Sequence, residues 1–288
     1  MSEPDAAPAP DSSLPEDLRP ETRRKVLIEL GLLWLATLLA IRLVVVIQKL
    51  GLPDVVLALV PFLFIYAPVW LCHWRKVDSY AYKIAIPAFD DLPAWGAALG
   101  LCARVVAVVV LPWLLGYHLY QNAVAALLDA VGPIRDVASA QAAWSALSSG
   151  RVDVLGPDPW ATLTHTLLPA WRVPKDAWLL VPYHLFFVAI PEEFFYRGYM
   201  QTRLNEVFPR RWNVFGTYVG PGLIIGCLFF AFGHSLVTFR WWHFATFFPG
   251  LVFGWMRERT RSPVAGAMFH AWSNVTVTWL DTLYGIRV

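Results

Sequence analysis

The 288-residue chain is poor in charge, with Asp, Glu, Lys and Arg making up 15 % of it, against about 25 % in ordinary soluble domains. Its net charge of +2 is too small to indicate a nucleic-acid partner. Only three cysteines occur, Cys72, Cys102 and Cys227, all in apolar stretches and without CxxC spacing. That placement favours buried free thiols over a disulfide or a metal site. These scarcities argue against a soluble nucleic-acid-binding protein and against a disulfide scaffold.

What the chain has instead is apolar residues, 57 % of the total, bunched into runs. About 20 consecutive apolar residues suffice to cross the hydrocarbon of a membrane. The sequence therefore predicts an all-α, polytopic membrane protein with about seven transmembrane helices, the count lying between six and eight. The expected spans are 27–48, 52–74, 93–116, 177–202, 217–238, 241–256 and 263–282. Many of the 15 tryptophans lie near the span ends, as is typical of residues at a membrane interface.

The chain divides into four parts. Residues 1–25 are rich in proline and acid and predict a disordered cytoplasmic tail. Residues 26–117 predict three transmembrane helices, 118–176 an extramembrane or re-entrant amphipathic segment, and 177–288 the remaining spans.

The Lys and Arg residues outside the spans indicate the orientation of the chain. With seven spans, most of them, Arg203 and Arg257 included, fall on one side of the membrane. The positive-inside rule then places the N-terminus in the cytoplasm and the C-terminus outside, in a plasma or bacterial inner membrane.

The stretch "PEEFFYR" places three ionisable groups in one of these apolar runs. Glu193 and Arg197 are four residues apart and share a helical face, with the acid first, which is the favourable order. Glu192 points about 100° away from Glu193 and lacks that partner. The spacing indicates a structural pair, Glu193 with Arg197, and leaves Glu192 for another role. The alternative is an interfacial charge cluster that marks a helix end.

Two later stretches offer further polar groups inside spans. "FAFGHSL" places Phe230 and His234 on one helical face, and "FHAWSN" does the same for His270 and Asn274. A lone intramembrane histidine more often hydrogen bonds to a neighbouring helix. Three spans with such groups at comparable depth predict instead that one Glu, two His and one Asn converge in a pocket in the cytoplasmic half of the membrane.

In order and spacing, "EEFFYR", "FAFGH" and "HAWSN" resemble the EExxxR, FxxxH and HxxxN motifs of the CAAX-protease and bacteriocin-processing (CPBP or ABI) family of intramembrane endopeptidases. The resemblance covers roughly residues 178–280 and makes 177–288 the expected catalytic core. It implies that Glu192 is the catalytic carboxylate, that His234 helps it to activate water, and that His270 and Asn274 contact the oxyanion. It implies supporting roles for Glu193, Arg197 and Phe230. A carboxylate in a poorly solvated pocket is a suitable base for this chemistry.

The family resemblance leaves two mechanisms open. Glu192, His234 and His270 also form a two-His, one-carboxylate set that suits zinc, although the HExxH pairing of helical zinc proteases is missing. Asn274 suits an oxyanion better than a metal ion. We therefore expect a glutamic-type protease without a cofactor, with zinc as the alternative. The sequence contains neither a GxSG serine motif nor a GxGD aspartate motif.

The family also implies the class of substrate, a protein or peptide tethered to the lipid bilayer and cut near its C-terminus. The length and composition of the chain suggest a bacterial member. Removal of a C-terminal sorting tag, in a myxosortase-like role, is then favoured over true CAAX processing. A non-catalytic membrane scaffold or a bacteriocin-immunity protein is the alternative function.

Overall fold

The computed structural model describes residues 23–84, 86–131, 141, 142, 145, 168–238 and 241–285, and almost all secondary structure in these ranges is helical. Seven helices can be followed there. They are α1 (Arg23–Lys49), α2 (Leu59–Trp74), α3 (Leu92–Val131), α4 (Ala177–Val207), α5 (Pro221–Thr238), α6 (Phe247–Thr260) and α7 (Val264–Leu283). Three short 3-10 turns lie between these helices. Asp54–Ala58 comes just before α2, Ser79–Tyr82 comes after α2, and Trp241–Thr246 comes just before α6.

Within the described residues, four helical segments are long and apolar enough to cross a membrane. They are Arg23–Lys49, Asp54–Trp74, Leu92–Ala123 and Ala177–Val207, while Pro221–Val237 is apolar but shorter. On α1, Leu32, Leu39 and Leu43 are each about 60 % exposed, as expected for a face that contacts lipid. The predicted all-α membrane class is confirmed, and the count of seven spans stays a prediction.

Two predicted spans begin later than expected. A two-stranded antiparallel hairpin, β1 (Trp212–Val214) with β2 (Thr217–Val219), precedes α5 and occupies the start of the predicted span 217–238. Its two-residue turn has positive φ at both Phe215 and Gly216, the geometry of the type I′ turn that suits the twist of a hairpin. The predicted span 241–256 opens with the 3-10 turn before α6 begins at Phe247.

The predicted tail and the predicted extramembrane segment lie mostly outside the described residues. Residues 1–22 of the tail are among these, and α1 already begins at Arg23. At the other boundary, α3 continues to Val131, so the first residues of the segment 118–176 extend the third helix.

The chain forms two compact units, one within Met1–Cys102 and Val181–Trp272 and the other within Ala103–Leu180 and Ser273–Val288. In the first unit, α4 is the central element, because every residue from Phe194 to Met200 is buried. In the second unit, Tyr117 on α3 donates a hydrogen bond to Asp281 on α7, and His118 lies 2.6 Å from the Tyr284 hydroxyl.

Charged residues tie α1, α2 and α4 together at one end of the first unit. Glu29 on α1 pairs with Arg75 at 3.0 Å and with the buried Arg203 at 3.3 Å, and it accepts a hydrogen bond from the Tyr199 hydroxyl at 2.7 Å. Arg203 is therefore a buried helical residue, as is Arg257 on α6, and not a loop charge as the orientation argument assumed.

Candidate active site

Helix α4 carries both glutamates in a four-residue α-helical stretch, Ile190–Glu193. π-Helical stretches, Tyr183–Ala189 and Phe194–Met200, lie on either side of it. Pro191 has no N–H and so cannot complete the regular helical hydrogen-bond ladder, which gives a physical reason for the irregular winding. π-Helical insertions occur frequently at functional sites. The sequence gave no sign of the π-helical stretches.

The structure brings Glu192 together with both predicted histidines. Its Oε2 atom lies 3.7 Å from Nε2 of His234 on α5 and 4.0 Å from Nε2 of His270 on α7. Both separations exceed hydrogen-bond length. Oε2 is buried and makes no hydrogen bond to any described residue. One carboxylate oxygen therefore faces two imidazole nitrogens across gaps that suit a small bridging molecule such as water.

The backbone of α5 orients His234. Its Nδ1 lies 3.0 Å from the carbonyl oxygen of Phe230, one helical turn earlier. Because a carbonyl only accepts, Nδ1 must carry the proton, and in the neutral ring Nε2 presents a lone pair to Glu192. Phe230 packs against the imidazole with ring centroids 4.4 Å apart, which holds the ring in place.

Glu193 contacts Arg197, as the spacing predicted, and it also contacts a second partner, His270. Its Oε1 lies 3.1 Å from Nη1 of Arg197, and both side chains are almost completely buried. The same oxygen lies 3.2 Å from Nδ1 of His270. Glu193 therefore orients one of the site histidines as well as pairing with Arg197, a contact between distant helices that helical spacing along α4 cannot reveal.

The Arg197 guanidinium is held by α5 and α6. It donates a hydrogen bond of 3.1 Å from Nη2 to the carbonyl of Gly250 and lies 4.3 Å from the centre of the Phe230 ring. Desolvated cation–aromatic contacts of this kind contribute about 2 kcal/mol. Phe230 is thus shared between Arg197 and His234, which explains why an aromatic residue stands one turn before that histidine.

Asn274 lies one helical turn after His270 on α7 and belongs to the second compact unit. Its backbone carbonyl accepts a hydrogen bond of 3.0 Å from the Thr278 hydroxyl. The assignment of its side chain to the oxyanion remains what the family motif implies.

A cavity of about 180 Å³ adjoins Glu192 and His234. Helix α1 lines it with Trp34, Thr37, Leu38 and Ile41. The rest of its lining comes from three other helices: Val60 and Phe64 of α2, Phe195 and Tyr196 of α4, and Gly233 and Val237 of α5. The wall is therefore mostly apolar, and its polar side chains besides Glu192 and His234 include Thr37 and Tyr196.

Several residues of this region escaped the sequence analysis. Tyr196 is buried, and its hydroxyl would lie 2.7 Å from a Cβ atom at Gly233, so a glycine is needed at that position. Phe253 stacks on the His270 ring with centroids 4.8 Å apart and an interplanar angle of 14°. For Tyr196, the sequence offered one signal, its position one helical turn after Glu192 on α4. An aromatic residue in an apolar run is as common in a packed core as in a functional site, so this spacing alone did not identify it.

The donor set can also be compared with the needs of zinc. Bonds of 2.0–2.1 Å in a tetrahedral site place ligand atoms about 3.3 Å apart, shorter than the 3.7 and 4.0 Å separations from Glu192. Among the residues that the structure describes, no group of three or more His, Cys, Asp or Glu side chains is spaced to hold a metal ion. The types of donor suit zinc nonetheless, and shortening the two separations from Glu192 by about 0.4–0.7 Å would bring them to zinc spacing.

Fold and site together define a multi-pass membrane protein with a buried cluster of carboxylates and histidines among its helices. Residues 174–276 match the family model described as type II CAAX prenyl endopeptidase Rce1-like. This match confirms the resemblance that the three motifs carry, so this part of the chain is similar to the CAAX-protease and bacteriocin-processing family of membrane proteases. Neither the curated proteins nor the solved structures yielded a significant match.

Proposed function

We propose that the protein is an intramembrane endopeptidase of glutamic type that hydrolyses a peptide bond near the C-terminal, membrane-associated end of its substrate. The observation that carries this proposal is the position of the buried Glu192 Oε2 atom, which faces Nε2 of His234 and of His270 beside an apolar cavity. A transmembrane segment retains such ionisable groups chiefly where they have a function.

In the proposed reaction, a water molecule lies between Glu192 and His234. With Nδ1 of His234 bonded to the Phe230 carbonyl, both Oε2 of Glu192 and Nε2 of His234 are acceptors, and a water molecule can donate one hydrogen bond to each. The water oxygen attacks the scissile carbonyl carbon as Glu192 takes its proton. Glu192 then delivers that proton to the amide nitrogen as the C–N bond breaks, which yields a carboxylic acid and an amine. The acid passes its remaining proton to the amine, giving a carboxylate and an ammonium group.

His270 and Asn274 would stabilise the negative charge that develops on the carbonyl oxygen. For His270 to donate from Nε2 while Nδ1 donates to Glu193, the ring must carry both protons. Glu192 and Glu193 would then be balanced by Arg197 and His270, which removes the net charge from a buried cluster. Each donor of this kind contributes roughly 3–4 kcal/mol in a dry site.

Zinc is the alternative for the same site. Glu192, His234 and His270 would hold the ion, and Glu193 would orient His270 from behind, as carboxylates commonly do for zinc-bound histidines. The ion would supply Lewis-acid activation of water. The roles of Arg197 and Phe230 would not change.

The substrate is proposed as a membrane-tethered protein or peptide, with a C-terminal sorting tag favoured over a prenylated protein. The test is release of the C-terminal fragment from such substrates reconstituted in lipid with the full chain. We expect release by the wild type and its loss in Glu192→Gln, with both proteins inserted and folded to the same extent. Equal release by both would contradict the proposal. If the wild type releases nothing from a broad substrate set, a scaffold or immunity role is favoured.

A further inference from the structure

The cavity beside Glu192 and His234 has two walls. Helices α4 and α5, which lie within the residues 174–276 that match the family model, form one wall. Helices α1 and α2 form the other, and both precede the matched residues. A substrate group in this cavity would therefore contact the proposed catalytic pair on one side and, on the other, side chains that the family motifs do not specify.

Thr37 places a hydroxyl in the wall that α1 and α2 form. It lies between Trp34 and Ile41 on the face of α1 that lines the cavity, and it is 5 % exposed. Its Oγ1 atom is buried and makes no hydrogen bond to any described residue. A buried hydroxyl without a partner is costly. Valine has the same shape and avoids that cost, so packing alone does not account for a threonine at this position.

Hydrogen bonds between α1 and α5 define the height of Thr37 relative to His234. Trp34 donates from Nε1 to the carbonyl of Phe229 at 3.1 Å, and a second bond, donated by Arg42, lies eight residues further along both helices. The two helices therefore run parallel and in register. This register places Thr37 about two residues, or about 3 Å along the axis, from the height of His234. The threonine and the proposed catalytic pair thus belong to the same section of the cavity.

The size of the cavity limits what it can hold. Its volume of about 180 Å³ exceeds the ~150 Å³ that holds benzene and falls short of the ~300 Å³ of small ligand sites. Aromatic side chains, among them Trp34, Phe64 and Phe195, contribute to its lining and suit contact with another ring. A single aromatic side chain therefore fits, whereas an isoprenoid does not.

The charge of Glu192 disfavours an ionised occupant. The carboxylate repels an acidic side chain, and a Lys or Arg side chain would pair with it and weaken it as a base. An uncharged ring that carries a hydrogen-bonding group suits both the apolar lining and the Thr37 hydroxyl. The phenol of tyrosine is such a group.

We propose that the cavity is a specificity pocket for a tyrosine side chain of the substrate, which Thr37 selects through a hydrogen bond to the phenol hydroxyl. The proposal rests on the function proposed above. Because Glu192 and His234 line the same cavity, the selected tyrosine flanks the scissile bond. A site that hydrogen bonds to a substrate hydroxyl discriminates against an analogue that lacks it, because a polar group of the site is then left unpaired. Phenylalanine is that analogue of tyrosine.

The test uses a lipid-anchored, alanine-rich peptide with one tyrosine, and versions in which the tyrosine is moved along the peptide or replaced by phenylalanine. The masses of the released fragments locate the cleaved bond. We expect the wild type to cleave next to the tyrosine, about 5–100-fold faster in kcat/KM than next to phenylalanine, the range for leaving a buried hydroxyl unpaired. In Thr37→Val this difference should disappear, with the phenylalanine peptide cleaved at least as fast as by the wild type.

Ser235→Ala is the matched control. The Oγ atom of Ser235 on α5 is also buried without a hydrogen bond to a described residue, but Ser235 is not among the residues that line the cavity. This variant should keep the preference for tyrosine. Loss of the preference in both variants would overturn the role of Thr37.

Binding of the same peptides to Glu192→Gln separates this proposal from the proposed function. Tighter binding of the tyrosine peptide, abolished by adding Thr37→Val, supports the pocket even if no peptide is cleaved. Equal binding and equal cleavage of the two peptides by proteins with Thr37, including no binding of either, would overturn the proposal. A preference that survives Thr37→Val, or an equal loss for both peptides, would overturn it as well and make Thr37 a packing residue.

Discussion

Two adjacent carboxylates on α4 have different surroundings because neighbouring helical residues point about 100° apart. Glu192 faces two imidazole nitrogens and an apolar cavity, whereas Glu193 is enclosed between Arg197 and His270. At the scale of single residues, this difference supports the proposed division of roles, with the chemistry at Glu192 and the positioning of His270 by Glu193.

Glu193→Gln tests the positioning role of this carboxylate. The amide keeps the shape but weakens the contacts to Arg197 and His270, so we expect turnover to fall about 10–100-fold, the range for groups that orient site histidines, together with lower stability in detergent. Glu258→Gln is the control, since Glu258 accepts hydrogen bonds from Gln201 and Asn205 and pairs with Arg257 outside the site. It should lower stability while turnover per folded molecule is preserved. Equal turnover losses in both variants would contradict the role of Glu193.

The choice between the glutamate and zinc mechanisms is also decided by single residues. In the proposed glutamate mechanism, exhaustive chelation leaves activity nearly intact, and purified active protein contains well below one zinc per chain. His270→Ala and Asn274→Ala should each slow cleavage by roughly 10²–10³-fold through loss of an oxyanion donor. With zinc, His234→Ala and His270→Ala would also lower the metal content, and Asn274→Ala would not. Stoichiometric zinc that is lost and restored together with activity would refute the glutamate mechanism.

At the scale of elements, glycines let α6 approach α4 and α5 closely. A Cβ atom at Gly250 would lie 3.1 Å from Nη2 of Arg197, and one at Gly254 would lie 2.8 Å from Oε1 of Gln201 and 3.0 Å from Cγ of Leu223. The carbonyls of both glycines accept hydrogen bonds from these α4 side chains. These two glycines thus permit close packing and also bring backbone acceptors to buried polar groups.

Gly254→Ala should therefore destabilise the helix contact, by about 1–3 kcal/mol if the neighbours cannot shift. Gly226→Ala on α5 is the matched control, because its Cβ atom would meet its nearest atoms only at 3.8 Å, an ordinary contact. There the better helix propensity of alanine should leave stability unchanged or slightly raised. Unfolding of the two purified variants in the same detergent measures the difference. A Gly254→Ala protein as stable as Gly226→Ala would show that this contact is not tight.

At the scale of the whole molecule, the Lys and Arg residues outside the helices indicate how the chain is threaded through the membrane. Because Arg203 and Arg257 are buried, the positive-inside argument rests on residues outside the helices, including Arg75, Lys76 and Lys83. These still favour a cytoplasmic N-terminus.

An odd number of crossings requires the two termini to lie on opposite sides of the membrane. We expect an N-terminal cysteine to react only with reagents that reach the cytoplasm, and a C-terminal cysteine to react with impermeant reagents from outside. The three native cysteines would be replaced first, and each tagged chain would be checked for activity. Both termini on one side would mean an even number of crossings and would exclude seven.

The membrane class, the positions of the main apolar helices and the three motifs could be read from the sequence because each depends on local composition or on helical spacing. Apolar runs identify helices by length alone, and pairs four residues apart share a face on any helix, as Glu193 with Arg197 and Phe230 with His234 do. Comparable depth along the spans was enough to predict that Glu192, His234 and His270 would meet.

Only the tertiary structure decided which side chains touch across helices. Such contacts depend on the rotation, register and winding of each helix, and residue spacing along one helix does not specify these. It gave Glu193 its second contact, to His270, and placed Phe253 on that ring. It likewise brought α1 beside α5, where Arg42 donates a hydrogen bond to the Val237 carbonyl and Trp34 lines the cavity that adjoins Glu192. The sequence thus determined which chemical groups enter the membrane, and the packing of the helices determined which of them face one another.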